Sequence, residues 1–284
     1  MKSLCIDIGG SKCSLAILED QKILVSKKFT SLDLNPPEIL NRFSETVRSW
    51  QELGLLFTAC GVGFGGRFSF DEQKTIKSFH KNGWQDFSFA SWAHDNWKVK
   101  AVADNDANVA ALGEYINCSK LESPFVYITL STGVGAGIIV NGTLVRGLNG
   151  IAGELGHISL DPNGPVCGCG SVGCFERCIS GYWARHDFGE SLDSLLLNEG
   201  FYQKYIATLS RGLATVINLL DPAKVILGGG IINFGQKLLN DLNQSVKNQL
   251  DRPSGWMPPI DFSILGDQNV LFGAEELIKR EILK

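Results

Sequence analysis

No block of lysine or arginine interrupts this sequence. Its basic residues are scattered, with Lys27-Lys28 the one short pair near the start, and the formal net charge at pH 7 is −4. A mildly acidic chain without a basic stripe has no electrostatic footprint for a nucleic-acid backbone, so no nucleic-acid partner is expected. Scattered charges read instead as a solvated surface. No stretch approaches the ~20 apolar residues that span a bilayer, which excludes a transmembrane helix. The opening run Leu4-Cys5-Ile6 is cut by Asp7 before a signal-peptide core can form. The chain therefore reads as cytoplasmic. Low-complexity segments and long flexible linkers are lacking too.

What is present is enough chain for two domains: 284 residues exceed a typical single domain. There are eight cysteines. In a long chain without a secretion signal these read as thiols or metal ligands rather than disulfides. Cys167, Cys169 and Cys174 are clustered, whereas Cys5, Cys13, Cys60, Cys118 and Cys178 sit among apolar residues and read as buried small hydrophobes.

Apolar runs from Leu4 and from Cys13, parted by Gly9-Gly10, predict strand, tight turn, strand, with a third strand over 23–29. Pro36-Pro37 opens a helix in which Ile39, Leu40, Phe43, Val47 and Trp50 recur at helical spacing. Strands are expected over 59–64 and 99–103, a short helix over 89–95 and an Ala-rich helix over 107–115. New strands follow over 125–130, 136–140 and 143–145, then a Gly/Pro/Cys-rich segment. A mainly helical C-terminal third holds strands over 225–227 and 260–265 and a last helix over 270–282. A strand–turn–strand opening thus occurs twice, from residues 4 and 125, which suggests two related α/β domains with a cleft between them.

The sharpest local pattern is His157 followed by Cys167-Gly168-Cys169-Gly170 and Cys174. Zinc takes four N/S ligands in a tetrahedron, and glycines let such a loop fold back. With all four ligands supplied by protein, such a zinc is structural; the alternative is a loop of reduced thiols. Three Gly loops, each at the end of an apolar strand, point to nucleotide phosphates. They are Asp7-Ile8-Gly9-Gly10-Ser11-Lys12, Ser131-Thr132-Gly133-Val134-Gly135 and Gly228-Gly229-Gly230. Glycines let backbone N–H groups approach phosphate oxygens, and Ser11 and Lys12 add donors and charge. Asp7 at the strand end suits Mg²⁺ held through water. One such loop alone reads as a hairpin turn; three together do not.

Asp104-Asn105-Asp106 stand where a strand meets a helix. One of them must cap the helix. Phosphoryl transfer to a hydroxyl also needs a carboxylate to take the proton, and Asp106 is placed for that. Glu154, three residues before His157, and Glu176, two after Cys174, are either grips for vicinal hydroxyls or partners of the zinc site.

Together these residues resemble the ROK family of sugar kinases and sugar-responsive repressors. The matching segments run from Ile6–Lys12 through Asp104–Asn108, Ser131–Gly135, Gly153–His157, Cys167–Gly170 and Gly173–Glu176 to Gly228–Gly230, almost the whole chain in family order. The resemblance implies a two-domain α/β, actin-like/ribonuclease-H-like ATPase fold with ATP and sugar meeting in an interdomain cleft. It implies domains of 1–106 plus 270–284 and of 107–269, the second carrying the zinc loop. It implies a hexose kinase of glucokinase type, with Mg²⁺, a structural Zn²⁺ on His157, Cys167, Cys169 and Cys174, and a homodimer or homotetramer. Asp106 would take the proton from the 6-hydroxyl. Asn105, Glu154, His157 and Glu176 would bind the sugar, and the three Gly loops would bind ATP.

Two segments depart from the family pattern. Gly65 stands where many of these kinases carry proline, and Gly66-Arg67 resembles N-acetylmannosamine kinases of the family. Ser78–Trp84 differs from the Asn-Leu-containing segment common in glucokinases and also reads as a surface turn around Asn82-Gly83. Both loops would border the sugar. Against a repressor, Asp7 lies too near the start for a preceding helix-turn-helix; against a binder without catalysis, Asp106 and the Gly loops are intact.

Overall fold

The computed structural model describes residues 1–78, 82–118, 123–250 and 255–283. The chain divides into two compact units, Met1–Cys118 with Arg146–Ala152 and Asp267–Lys284, and Ser119–Val145 with Gly153–Gly266. Among the described residues no helix is long and apolar enough to cross a membrane.

In the first unit β1 (Lys2–Ile8), β2 (Lys12–Glu19) and β3 (Lys22–Thr30) form an antiparallel meander. Next, α1 (Pro36–Glu52) leads to β4 (Ala59–Phe64), which pairs parallel with β1. The α1 start is a capping box: the Asn35 side chain accepts the Glu38 N–H and the Glu38 carboxylate accepts the Asn35 N–H, ahead of Pro36 and Pro37. Its Ile39, Phe43, Val47 and Trp50 are buried against Leu4, Ile6 and Val62 in the core of this unit.

The short strands β5 (Arg67–Ser69) and β6 (Lys74–Lys77) make a separate hairpin in a stretch that the sequence marked only as turn-rich. Strands of three and four residues with a bulge at Arg67/Phe68 are too short for periodicity to register. After α2 (Phe89–Trp97), β7 (Lys100–Asn105) pairs parallel with β4, completing the order β3-β2-β1-β4-β7, and α3 (Asp106–Ile116) follows directly. Within the segment read as a surface turn, Phe79–Lys81 lie outside the described residues. Gly83 does turn at φ +94. Trp84, however, is buried, and packs on Phe64, Phe87 and Phe89, so it anchors the segment in the core.

The second unit repeats the plan. The pair β8 (Phe125–Leu130) and β9 (Val134–Val140) is antiparallel, and β10 (Thr143–Leu144) extends it. Helices α4 (Phe175–Ile179), α5 (Gly181–Phe188), α6 (Leu192–Leu195) and α7 (Glu199–Leu220) precede β11 (Lys224–Gly228), which pairs parallel with β8. After α8 (Gly235–Gln249), β12 (Ile260–Phe262) pairs parallel with β11. The order β10-β9-β8-β11-β12 matches the first sheet strand for strand in sequence order and direction. Helix α7 buries Tyr205, Ile206, Leu209, Leu213 and Val216 on one face against this sheet's Val126, Ile128 and Leu227.

The chain ends in α9 (Asn269–Glu281), part of the first unit, where it packs on α3, β1 and β4. Of the five cysteines read as buried, Cys5, Cys13 and Cys60 have no exposure; Cys118 and Cys178 are only half-buried.

Candidate functional site

Register alone gathers the first unit's site residues. Ile8 stands beside Phe64, and Phe64 beside Asn105, so three parallel strands end together. Beyond those ends lie Gly9-Gly10-Ser11-Lys12, Gly65-Gly66-Arg67 and Asp106. The Gly9 turn is closed by its own N–H donating to the Lys12 carbonyl at 3.0 Å, and the Ser31 N–H holds the Ser11 carbonyl at 2.9 Å. Gly65 donates its N–H to the Ile8 carbonyl at 2.8 Å. A Cβ there would stand 2.9 Å from that carbonyl and 3.3 Å from Asp106 Oδ2. The Asp106 carboxylate therefore lies beside the first Gly loop, across the bare face of Gly65. Proline at 65 would lose this hydrogen bond.

The three polar residues at the start of α3 divide their work. Asn105 is the cap: its Oδ1 accepts the N–H groups of Ala107 and Asn108 at 3.0 and 3.3 Å, and its Nδ2 donates to the Gly66 carbonyl at 3.1 Å. Asp104 is buried and accepts from Asn108 Nδ2, from the Asn105 N–H and, at 2.7 Å, from Arg146 Nε. Burial pushes the Asp104 carboxyl up, and the Arg146 guanidinium opposes that shift. Asp106 is the first helical residue, with Oδ1 accepting the Ala107 N–H at 2.9 Å. Asp7 accepts from Ser14 Oγ at 3.4 Å. Burial first, and then the neighbouring Asp106 charge, push its carboxyl up to about 8.

In the second unit, Ser131–Gly133 turns from β8 into β9. The Ser131 and Thr132 carbonyls accept the N–H groups of Gly181 and Tyr182 at 2.9 and 3.0 Å. Gly228, Gly229 and Gly230 follow β11, the parallel neighbour of β8. Gly228 lies against the Tyr127 ring and Gly229, at φ +78, against the Leu130 carbonyl, so the second and third Gly loops are adjacent. Glu176 Oε2 accepts the Val134 N–H at 2.8 Å.

The four residues read as zinc ligands converge. Ligand atoms of His157, Cys167, Cys169 and Cys174 all lie within 4.8 Å of one another. Cys169 and Cys174 sulfurs are 3.6 Å apart, and Cys167 Sγ is 3.9 Å from His157 Nδ1. Donors about 2.3 Å from one ion in a tetrahedron are separated by about 3.7 Å, so the cluster fits a structural zinc. Gly173 makes the fold-back possible: at φ +61, a Cβ would stand 1.7 Å from the Asp161 carbonyl. With Nδ1 facing the thiols, His157 Nε2 lies 3.7 Å from Glu154 Oε2.

The first unit thus carries Asp7, Gly9, Gly10, Ser11, Lys12, Gly66, Arg67, Asn105 and Asp106. The second carries Thr132, Gly133, Glu154, His157, Glu176, Gly228–Gly230 and the cysteines. Sequence reading missed Arg146. No spacing rule links it to Asp104, 42 positions away, and only the topology shows that Arg146–Ala152 belongs to the first unit.

Comparison with known proteins follows the same outline. A glucokinase of Streptomyces coelicolor is 29% identical over 309 residues, covering 96% of both chains. An N-acetylmannosamine kinase of Vibrio cholerae is 30% identical over 274 residues, covering 92% of this chain and 93% of that one. A xylose repressor of Bacillus subtilis is 26% identical over 298 residues, covering 97% of this chain and 76% of the repressor. Among solved structures, the Streptomyces griseus ROK glucokinase in complex with glucose and AMPPNP superposes at a TM-score of 0.83 with 26% identity, covering 99% of this chain and 100% of that one. The likeness shows the two-domain actin-like ATPase fold of these kinases. The ROK family model matches residues 3–281, so the segments that carry the site, from Asp7 to Gly230, all lie within the match and the chain belongs to the ROK family.

Proposed function

We propose that this protein transfers the γ-phosphoryl group of ATP to a sugar, at the 6-hydroxyl of a hexose, with glucose the first substrate to test. The observation that carries the reading is the common ending of β1, β4 and β7, which sets Asp106 beside the Gly9 loop. Ligands of α/β sheets collect outside the carboxyl ends of parallel strands.

The hydroxyl oxygen would bond to the γ-phosphorus while the bond to the bridging oxygen breaks and ADP leaves. The hydroxyl proton would pass to Asp106, whose carboxylate is held by the Ala107 N–H. Gly9, Gly10, Ser11 and Lys12, with Thr132, Gly133 and Gly228–Gly230, would hold the phosphates. Two carboxylates close enough to perturb each other, Asp7 and Asp106, suit a divalent cation. Mg²⁺ would be held at Asp7 and, when bound, neutralises phosphate charge. Glu154, His157 Nε2 and Glu176 would take sugar hydroxyls. Asn105 would use the amide hydrogen it does not give to Gly66, and Gly66-Arg67 would border the ring.

A coupled ADP-release assay on zinc-loaded protein tests this. It would use Mg-ATP against glucose, mannose, fructose, allose, glucosamine, N-acetylglucosamine and N-acetylmannosamine. One sugar should turn over strongly, and Asp106→Asn should lower kcat by several orders of magnitude with little change in sugar affinity. A variant with undiminished kcat removes Asp106 as the base. The V. cholerae relative and Arg67 favour N-acetylmannosamine as the second candidate. The B. subtilis relative supports a different class, a sugar-sensing regulator. Silence across the panel, together with sugar-dependent DNA binding in a gel shift, would decide for it.

A further inference from the structure

Glu176 is the second residue of α4, two positions after the cluster cysteine Cys174. Its Oε2 accepts the Val134 N–H at 2.8 Å, and two glycines make room for it. A Cβ on Gly133 would stand 2.6 Å from Oε2. One on Gly156 would stand 3.2 Å from the Glu176 Cβ and 2.5 Å from the Val134 carbonyl. Val134 opens β9 directly after Ser131-Thr132-Gly133. Four residues beyond Glu176, Ser180 ends α4 and caps α5, whose first two N–H groups hold the Ser131 and Thr132 carbonyls. The segment Cys174–Tyr182 therefore grips both ends of the loop, and its first residue belongs to the Cys3His cluster. Among the described residues, the N–H groups of Thr132 and Gly133 make no hydrogen bond. The carbonyls are tied down while these donors stay available. A carboxylate that only gripped a sugar would need neither the glycine slot nor the backbone partner.

We propose that Glu176 is a positioning residue of the phosphate loop, transmitting the rigidity of the Cys3His centre to the backbone that meets the nucleotide. This rests on the kinase reading above. The loop bond uses Oε2, and any sugar hydroxyl falls to the other oxygen.

The test is calorimetric titration of Mg-ADP, without sugar, into zinc-loaded wild type, Glu176→Ala, Glu176→Gln and Gly133→Ala, with zinc content measured for each. Loss of a charge-assisted hydrogen bond should weaken ADP binding about tenfold in Glu176→Ala. Glu176→Gln should stay within about threefold of wild type, because its amide oxygen still accepts the Val134 N–H. Gly133→Ala drives a methyl into the carboxylate slot with every zinc ligand intact, and should weaken ADP binding as well. Wild-type ADP affinity in Glu176→Ala overturns the proposal while leaving the kinase reading in place. Should Glu176→Ala not fold, unchanged affinity in Gly133→Ala overturns it just the same. Failure of the wild type to bind ADP removes the kinase reading, and this proposal with it.

Discussion

At the end of β7 the backbone enters α3 within three residues, where Asn105 and Asp106 share the Ala107 N–H and Asp104 turns to Arg146. Asp104 is the buried one, and its pairing with Arg146 is the contact that makes burial tolerable. A buried carboxylate stripped of its cation typically costs about 3–5 kcal/mol. The guanidinium is itself fixed, 3.5 Å over the Phe70 ring and 3.8 Å from Glu281. Asn105 spends its oxygen on the helix, and Asp106 is the carboxylate proposed above to take the proton. Asp7 has a different problem, since it faces Asp106 and, further off, Asp267, with Ser14 and Lys28 as the compensating partners. Its carboxyl is pushed up to about 8, against 3.8 for an ordinary aspartate. Between those values the folded protein keeps a proton that the unfolded chain has released, so this residue's contribution to stability declines as pH rises from about 4 to about 8. Asn at this position cannot ionise. In buffer free of divalent cations, Asp7→Asn should therefore match wild type near pH 4 and exceed it increasingly towards pH 8. The expected gain there is about 2 kcal/mol, because Asp7 retains some exposure. Denaturant titrations at pH 4, 6 and 8 check this; a constant gap across the range would show that the Asp7 charge is not the cause.

Among elements, the tightest contact is between α3 and α9, and it is made by glycines that helix propensity alone disfavours. A Cβ on Gly273 would lie 1.7 Å from the Val109 carbonyl, and one on Gly113 would lie 2.2 Å from the Asn269 carbonyl. Neither obstacle is a side chain that can swing away. Gly273→Ala, which in an isolated helix would gain about 1 kcal/mol, should here destabilise by about 3 kcal/mol as the helices are forced apart. Gly200→Ala in α7, where the nearest atom is the Asn198 side chain at 3.4 Å, serves as the tolerant control in thermal melts. Equal effects would mean that α9 is not seated on α3. The helices themselves were legible because Ile39, Phe43, Val47 and Trp50, and the apolar face of α7, follow the 3.6 period over many turns. The β5–β6 hairpin was not legible, because seven residues in two strands give periodicity nothing to repeat. The α3–α9 glycines were silent for another reason. A glycine in a helix looks like a weakness in one dimension and becomes a contact only when a helix some 160 residues away arrives beside it.

Duplication of one plan explains why so much of the molecule could be read. A strand–turn–strand opening with a buried parallel neighbour leaves apolar runs ended by glycine, and that signature occurs at both Ile8 and Leu130. The Cys3His cluster was equally visible, since its four residues fall within one loop. What sequence could not supply was the chain's excursion through Arg146–Ala152, which returns to the first unit between β10 and Gly153 and sets Arg146 on Asp104. Each unit has its own apolar core, and the Cys3His cluster lies wholly in the second. Its loop is held by the Cys167 N–H on the Ser171 carbonyl, the Gly173 N–H on the Pro165 carbonyl and the Phe175 N–H on the Ile158 carbonyl. Between Asp161 and Val172, Cys167 is the one buried residue, and Val166 is exposed. Metal binding should therefore supply much of its order. Removing zinc with a chelator should raise amide hydrogen exchange across 157–182, including the N–H groups of Gly181 and Tyr182, by tenfold or more. Exchange in β1 and β4, within a core that holds no metal ligand, should stay near its zinc-bound rate. Cys169→Ser, which removes one thiolate, should reproduce the pattern without chelator. If β1 and β4 lose protection in parallel with the loop, zinc supports the whole fold; if the loop keeps its protection, the four ligands are an ordered thiol cluster without a structural metal.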